Sequence, residues 1–168
     1  MQYSSAPPHA VELRRASYDS PDAAAMIAKA NDYNTELYGH PDQTPVSPAE
    51  FEPQSGGEFL VAYVEGIPVG CGGYRRHLED ETGSTVEIKR MYVEPNVRRL
   101  GIARRVLGQL EIDARAAGYS AAILDSGSKQ AASHALYESC GYTRTASFSI
   151  YKDKPGNRAY LKVLSTLK

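Results

Sequence analysis

Apolar and polar residues alternate from Val11 to Ala16, which predicts a first strand, and Asp19 or Ser20 ahead of Pro21 marks a helix start. That helix is expected to run to Tyr38. The stretch from Gly39 to Ser55 holds four of the ten prolines and reads as a long functional loop, interrupted by one short helix where Ser47 and Glu50 have capping-box spacing. Phe59 to Val64 and Pro68 to Arg76 predict two strands joined as a hairpin through Glu65-Gly66-Ile67. The acidic run Glu79-Asp80-Glu81 and Gly83 then lead into a third long strand, Thr85 to Val93. Beyond Ile102, the residues Val106, Leu107, Leu110, Ala114 and Ala117 recur at helical spacing, with Gly118 as the C-terminal stop. Ala121 to Leu124 reads as a short buried strand, and Ser133 to Cys140 as a short helix ended by Gly141. Strand-like stretches near Tyr142 to Tyr151 and Tyr160 to Leu164 complete an α/β pattern, one mixed sheet with helices on both sides.

The chain has 168 residues, a single-domain length that can bury a core without disulfides or a structural metal. We therefore expect one domain over residues 1–168, with residues 1–9 as a loose, polar N-terminus. A formal net charge of −1 gives no overall reason to expect a nucleic-acid partner, so any anion site must be local. The two cysteines, Cys71 and Cys140, have neither metal-ligand spacing nor the number for a secreted disulfide framework. With no apolar run near the roughly 20 residues of a membrane helix, the expectation is a cytoplasmic protein that binds no metal and no membrane.

One junction carries candidate chemistry. From Val93 to Ala103 the sequence Val-Glu-Pro-Asn-Val-Arg-Arg-Leu-Gly-Ile-Ala joins a strand to a helix through a turn ending in glycine. The first N–H groups of a helix lack intrahelical acceptors and sit at the positive end of its dipole, so they stabilise an anion without any side chain. Gly101 and Ala103 keep the approach open. Arg98, Arg99, Arg104 and Arg105 crowd the same end, where the dipole disfavours each cation by about 0.3–1 kcal/mol unless something compensates. A bound polyanion would compensate; so would ion pairs with Glu94, Glu111 or Asp113. No lysine followed by serine or threonine makes this a P-loop, and no Gly-x-Gly-x-x-Gly follows an early strand.

Val86-Glu87-Ile88-Lys89-Arg90-Met91-Tyr92-Val93, the Arg98-x-x-Gly101-x-Ala103 turn, and Ala135-Leu136-Tyr137-Glu138-Ser139-Cys140-Gly141-Tyr142 together resemble the GNAT superfamily of N-acetyltransferases. The resemblance covers residues 86 to 142 well, with an acetyl-CoA core at about 85–142, and implies a mostly antiparallel mixed sheet of about six to seven strands flanked by helices on both faces. It implies that the turn binds the pyrophosphate of acetyl-CoA through the backbone of Arg99, Leu100, Gly101, Ile102, Ala103 and Arg104, with Arg98 at the motif's first position. Met91, Tyr92 and Val93 would lie along the pantetheine arm like an added strand. Ala103 stands where glycine is common in the family.

Acetyl transfer to an amine needs the amine neutral, the oxyanion stabilised and the thiolate protonated as it leaves. Glu87 lies where some protein-acetylating members of the family carry a catalytic glutamate, and is the candidate base; pairing with Lys89 or a cross-strand arginine is the alternative. Tyr137 falls where the family often places a tyrosine beside the CoA sulfur, and is the candidate acid; a tyrosine packed in the core is the alternative. A main-chain N–H near Val93 would serve the oxyanion if a bulge splays the strand there. Strict alternation sends Lys89 and Arg90 to opposite faces as ion-paired sheet residues. The acceptor, a small-molecule or peptide amine, would bind among Tyr33, Tyr38, His40, Tyr74, Arg75 and His77, with the acidic run available to attract it. A homodimer sharing the C-terminal strand is compatible with the sequence. Direct attack is preferred over an acyl-enzyme, because neither cysteine has a neighbouring histidine. A CoA-binding sensor without turnover, and an enzyme acting on charged tRNA, are the competing classes; the balanced charge speaks against the second.

Overall fold

The computed structural model describes residues 10–98 and 100–164; the loose N-terminus expected at residues 1–9 lies outside them. Seven strands form one sheet: β1 (Val11–Arg15), β2 (Glu58–Val64), β3 (Ile67–Arg76), β4 (Thr85–Val93), β5 (Ala121–Ser126), β6 (Thr143–Thr145) and β7 (Arg158–Val163). The helices are α1 (Pro21–Tyr38), α2 (Ile102–Ala116) and α3 (Ala131–Ser139). Strand order is β1-β2-β3-β4-β5-β7-β6, antiparallel at every contact except the parallel pair β4 and β5.

Period-two alternation places the two helical layers. In β2, Phe59, Val61 and Tyr63 pack with Ala23, Met26 and Ile27 of α1, while Leu60 and Ala62 pack with Ile102, Val106, Leu107 and Leu110 of α2. Tyr137 brings α3 into the same cluster as α2. The helix ends follow the signals in the chain. Pro21 occupies the first turn of α1, and Gly39, at φ 80°, ends it with an N–H to Thr35 O of 2.8 Å. The Glu50 carboxylate accepts the Ser47 N–H at 2.6 Å and starts a short 3-10 turn, Pro48–Phe51.

Two strand expectations change. β5 runs on to Ser126, because β7 pairs with all six of its residues. The predicted strand from Tyr142 to Tyr151 keeps only Thr143–Thr145; Ser149 takes φ 56° in a 3-10 turn, and residues 146–157 form a loop that folds back over the sheet end. β7, the C-terminal strand, pairs between β5 and β6 of its own chain.

Candidate active site

β4 and β5 pair only from Thr85 to Glu87, where Glu87 meets Ile123. Past that point β5 continues along β7 and β4 along β3, so the two strands diverge into a seam and no described strand pairs with residues 88–93 of β4 on that side. The Glu94 N–H donates to Val69 O at 2.8 Å, so by alternation the N–H of Val93 faces the seam.

A bulge lies within this edge. Cys71 pairs with Tyr92 but Gly73 with Lys89, so Arg90 and Met91 together oppose Gly72. Arg90 has φ 60°, the left-handed region, and alternation resets beyond it: Met91 packs on the α2 face and Tyr92 on the α1 face. This corrects the assignment of Lys89 and Arg90 to opposite faces. Both reach Asp42, Lys89 Nζ at 3.0 Å and Arg90 by its Nη1, because the extra residue turns Arg90 onto its neighbour's side. They are ion-paired, as expected.

β4 leads through the turn Pro95–Val97 to α2, whose N-cap is Gly101 at φ 75°. Among the described residues no atom lies within 4 Å of the position a Gly101 Cβ would take and no side chain caps the helix, so its first amides are open. Ile102 is buried in the core, Ala103 packs partly against it, and Leu100 is half exposed. The arginines do not all point at the cradle. Arg98 donates from Nε to Val93 O at 3.1 Å, with its guanidinium 5.0 Å from the Tyr33 ring centre. Arg104 ties α2 to α3 through Ser139 Oγ at 2.8 Å. Among the described residues neither Arg98, Arg104 nor Arg105 is ion-paired; Glu94 takes Lys29, Glu111 takes Lys162 and Asp113 takes Arg15 instead. Arg99 lies outside the described residues. Bare helix amides beside an unpaired strand edge fit a ligand with a diphosphate at one end and an extended amide-bearing arm, which is the shape of acetyl-CoA.

The seam opens into a cavity of about 220 Å³ lined by the end of α1, the loop after it, Lys89, the end of β5 and the 146–157 loop. Tyr38, His40 and Tyr151 supply aromatic wall, and Asp42 and Asp125 the carboxylates. Asp42 is saturated: besides the two cations it accepts Tyr151 OH at 2.7 Å and Thr44 N–H at 2.9 Å. Burial opposes its charge, but Lys89 and Arg90 outweigh that and hold the carboxyl far below the usual range. Among the described residues Asp125 accepts from Asn157 Nδ2 at 3.1 Å and forms no ion pair. Burial pushes it up to about 6, against the bond from Asn157 and the charge of Lys89 across the cavity.

Glu87 stands differently. It is buried behind the cavity wall and does not line the cavity. Arg75 Nη2 lies 3.4 Å and His77 Nδ1 3.5 Å from its Oε2, with Lys89 Nζ 3.9 Å from Oε1. Burial raises its pKa, yet His77, Lys89 and Arg75 together leave it below the ordinary glutamate value. Both partners expected from the sequence, Lys89 and a cross-strand arginine, are present. Tyr137 is buried on α3, its ring 6.0 Å from that of Tyr142 and 6.1 Å from that of Tyr160, and burial raises its pKa.

The sequence model of the Acetyltransferase (GNAT) family matches residues 23–142, which span the seam, the cradle and α3. The chain belongs to this family. An IAA acetyltransferase of Azospirillum brasilense is 42% identical over 97 residues, 58% of this chain and 61% of that protein. N-acetylaspartate synthetase of Rattus norvegicus is 34% identical over 113 residues, 67% of this chain and 36% of its own length. The chain thus spans less than two thirds of the first relative and little more than a third of the second. A Salmonella typhimurium protein, assigned as an acetyltransferase and solved with its cofactor acetyl-CoA, superposes with TM-score 0.67 at 24% identity, over 93% of this chain and 95% of that one. The GNAT fold is therefore present as the resemblance implied, sheet and flanking helices included.

Within this GNAT site, two of the sequence-derived acceptor candidates, Tyr38 and His40, line the cavity. The others do not. Tyr33 lies beneath Arg98, Tyr74 is buried against Tyr119, Arg75 holds Pro45 O and Glu50, and His77 packs on Phe148. In the acidic run, Asp80 folds its own turn onto Thr82 and Ser84, and Glu79 accepts the Ser149 N–H. Sequence reasoning missed Asp42, Asp125 and Tyr151. The only available signal was Asp125 at the end of an apolar strand, a position that the predicted end at Leu124 excluded.

Proposed function

We propose that this GNAT protein is an N-acetyltransferase that moves the acetyl group of acetyl-CoA to the primary amine of a small molecule, by direct attack in a ternary complex. The observation that carries the reading is the β4–β5 seam: the open α2 N-terminus follows one end of its free edge, and at the other lies a partly open cavity whose carboxylates are Asp42, held by two cations, and Asp125, which forms no ion pair among the described residues. The bound cofactor supplies a thioester, an electrophile with a leaving thiolate.

The amides of residues 100–104 hold the diphosphate, with Gly101 clearing their approach, and the edge of Met91, Tyr92 and Val93 receives the amide-bearing arm. Arg98 sets the seam's end by clasping Val93 O, and Arg104 fixes the α2 terminus against α3. The Val93 N–H, facing the seam, is the donor for charge growing on the thioester oxygen. Asp125 takes the proton from the incoming ammonium: at a pKa of about 6 it is ionised at neutral pH yet close enough to exchange protons there. Tyr137, kept protonated by burial, donates a hydrogen bond to the departing sulfur.

A second assignment, with Glu87 as the base, is favoured by its buried Oε1, which has no hydrogen-bond partner, and by its place at the last paired position before the seam. Its cationic surroundings argue for the lesser role of holding Arg75 and Lys89 in place.

A cavity of about 220 Å³ accommodates a compact amine rather than a folded partner, and the rat relative, by its name, forms N-acetylaspartate, a small acetylated amine. Among the described residues no helix is long and apolar enough to cross a membrane, and both described cysteines are free thiols, which supports a reducing cytoplasm. The test is thiol release from acetyl-CoA across a panel of amino acids, aliphatic and aromatic amines, and peptides. Release with small amines and none with peptides supports the reading; release with peptides alone, or equally without amine, overturns it.

A further inference from the structure

Arg90 occupies a conformation that residues other than glycine seldom take, and it does so in the strand edge on which the donor reading depends. What keeps it there is visible. Its guanidinium meets Asp42 through Nη1 and donates from Nε to Tyr18 OH at 3.1 Å, while its carbonyl accepts the Cys71 thiol at 3.2 Å. Of these, Asp42 alone also grips the preceding residue, Lys89, so one carboxylate spans both residues at the start of the bulge. It lies forty-seven and forty-eight positions away in the chain, in the loop after α1, and is itself braced by Tyr151 OH from the 146–157 loop.

We infer that Asp42 is a positioning residue: by clamping Lys89 and Arg90 on one face it holds the β4 bulge, and through it sets where the main chain of residues 91–93 points in the seam. Asp42 lines the acceptor cavity, but its oxygens are engaged by the protein, so its action on the reaction passes through the bulge. Because the amides that it sets are those beside the thioester, losing it misaims the donor group and leaves the amine's own contacts intact. The consequence for rate rests on the acetyl-transfer reading above; the consequence for backbone geometry does not.

The test compares wild type, Asp42→Asn and the double variant Asp42→Asn/Arg90→Gly. Asparagine keeps the shape of Asp42 and removes the charge that both cations meet. Glycine takes the left-handed conformation unaided, so Arg90→Gly removes the need for a clamp. Two readouts are taken: kcat and KM for each substrate, and the amide signals of Met91, Tyr92 and Val93 in the ¹H–¹⁵N spectrum of the free protein. In Asp42→Asn we expect kcat to fall about 100-fold with the amine KM little changed, as for a misplacement of about 1 Å. The three amide signals should move, and both readouts should return toward wild type in the double variant. If Asp42→Asn alone does not fold, the double variant, which needs no clamp, carries the test. Unmoved amide signals, a rise in amine KM with kcat retained, or a double variant that folds yet recovers neither readout overturns the inference. Amide signals that move and recover in a protein releasing no thiol with any amine would instead remove the acetyl-transfer reading and leave Asp42 as the clamp of the bulge.

Discussion

Met91 and Gly72 face each other across β3 and β4 with no room for another carbon: a Cβ on Gly72 would lie 2.4 Å from Met91 Sδ and 3.0 Å from Val106 Cγ1. The bulge at Arg90 turns Met91 onto the α2 face, and the missing side chain at Gly72 receives it. Gly72→Ala should therefore destabilise the protein by about 1–3 kcal/mol, the usual range for overpacking. Urea unfolding with an unchanged m-value would show it, and Met91→Ala in the same chain should return part of the loss.

Asp125 and Glu87 are separated by their pH profiles. A base of pKa about 6 must be deprotonated to act, so kcat/KM should rise through pH 6 and level off above it. Asp125→Asn should remove that limb and lower kcat/KM by about 10²–10⁴-fold. Glu87, held below the ordinary value, is ionised throughout this range, so Glu87→Gln should leave the limb in place. A limb that disappears in Glu87→Gln and persists in Asp125→Asn would reverse the two assignments.

Gly101 tests the cradle. Any other residue there meets the left-handed conformation, at a cost of about 1–2 kcal/mol, and projects into space that is open in this structure. For Gly101→Val we expect a modest fall in stability and loss of the thermal stabilisation by acetyl-CoA, which at 100 times the dissociation constant is about 2.7 kcal/mol in an intact site.

Tyr137→Phe keeps the ring against Tyr142 and Tyr160 and deletes only the hydroxyl. Stability should change little, while kcat falls about 10²-fold or more if that hydroxyl donates a hydrogen bond to the departing thiolate. Full turnover in this variant would leave Tyr137 as a core residue.

Away from the site, Glu58 is buried beside Asp113, with Arg15 Nε 2.5 Å from Oε1, and desolvation followed by the neighbouring Asp113 pushes its pKa up to about 8 from 4.5. A carboxyl raised on folding binds its proton more tightly in the folded chain than in the unfolded one. Stability should therefore decline as pH rises from about 4.5 to 8, and Glu58→Gln should flatten that decline. Thermal melts across this range read the slope directly.

The parts of this molecule legible in its sequence are those set by near neighbours. The bounds of α1 follow from Pro21 and Gly39, the start of β4 from the acidic run and Gly83 ahead of it, and the cradle from a glycine closing the turn ahead of Ile102. The bulge was not legible: nothing in Lys89-Arg90-Met91 signals a left-handed residue, which arises from Asp42, Tyr18 and Gly72 meeting it in three dimensions. Asp125 was hidden for the same reason. Its burial comes from β7 extending β5 and from the 146–157 loop closing over it, and residues 143–151 carry the aromatic composition of a strand but the tertiary contacts of a lid.

The central claim is that the open end of α2 and the free edge of β4 together hold acetyl-CoA. Amide hydrogen exchange with and without saturating acetyl-CoA tests it most directly. We predict slowed exchange at residues 100–104 and at Val93, with α1 and β1 unaffected; unchanged exchange at both places, or protection confined to another surface, would contradict the account.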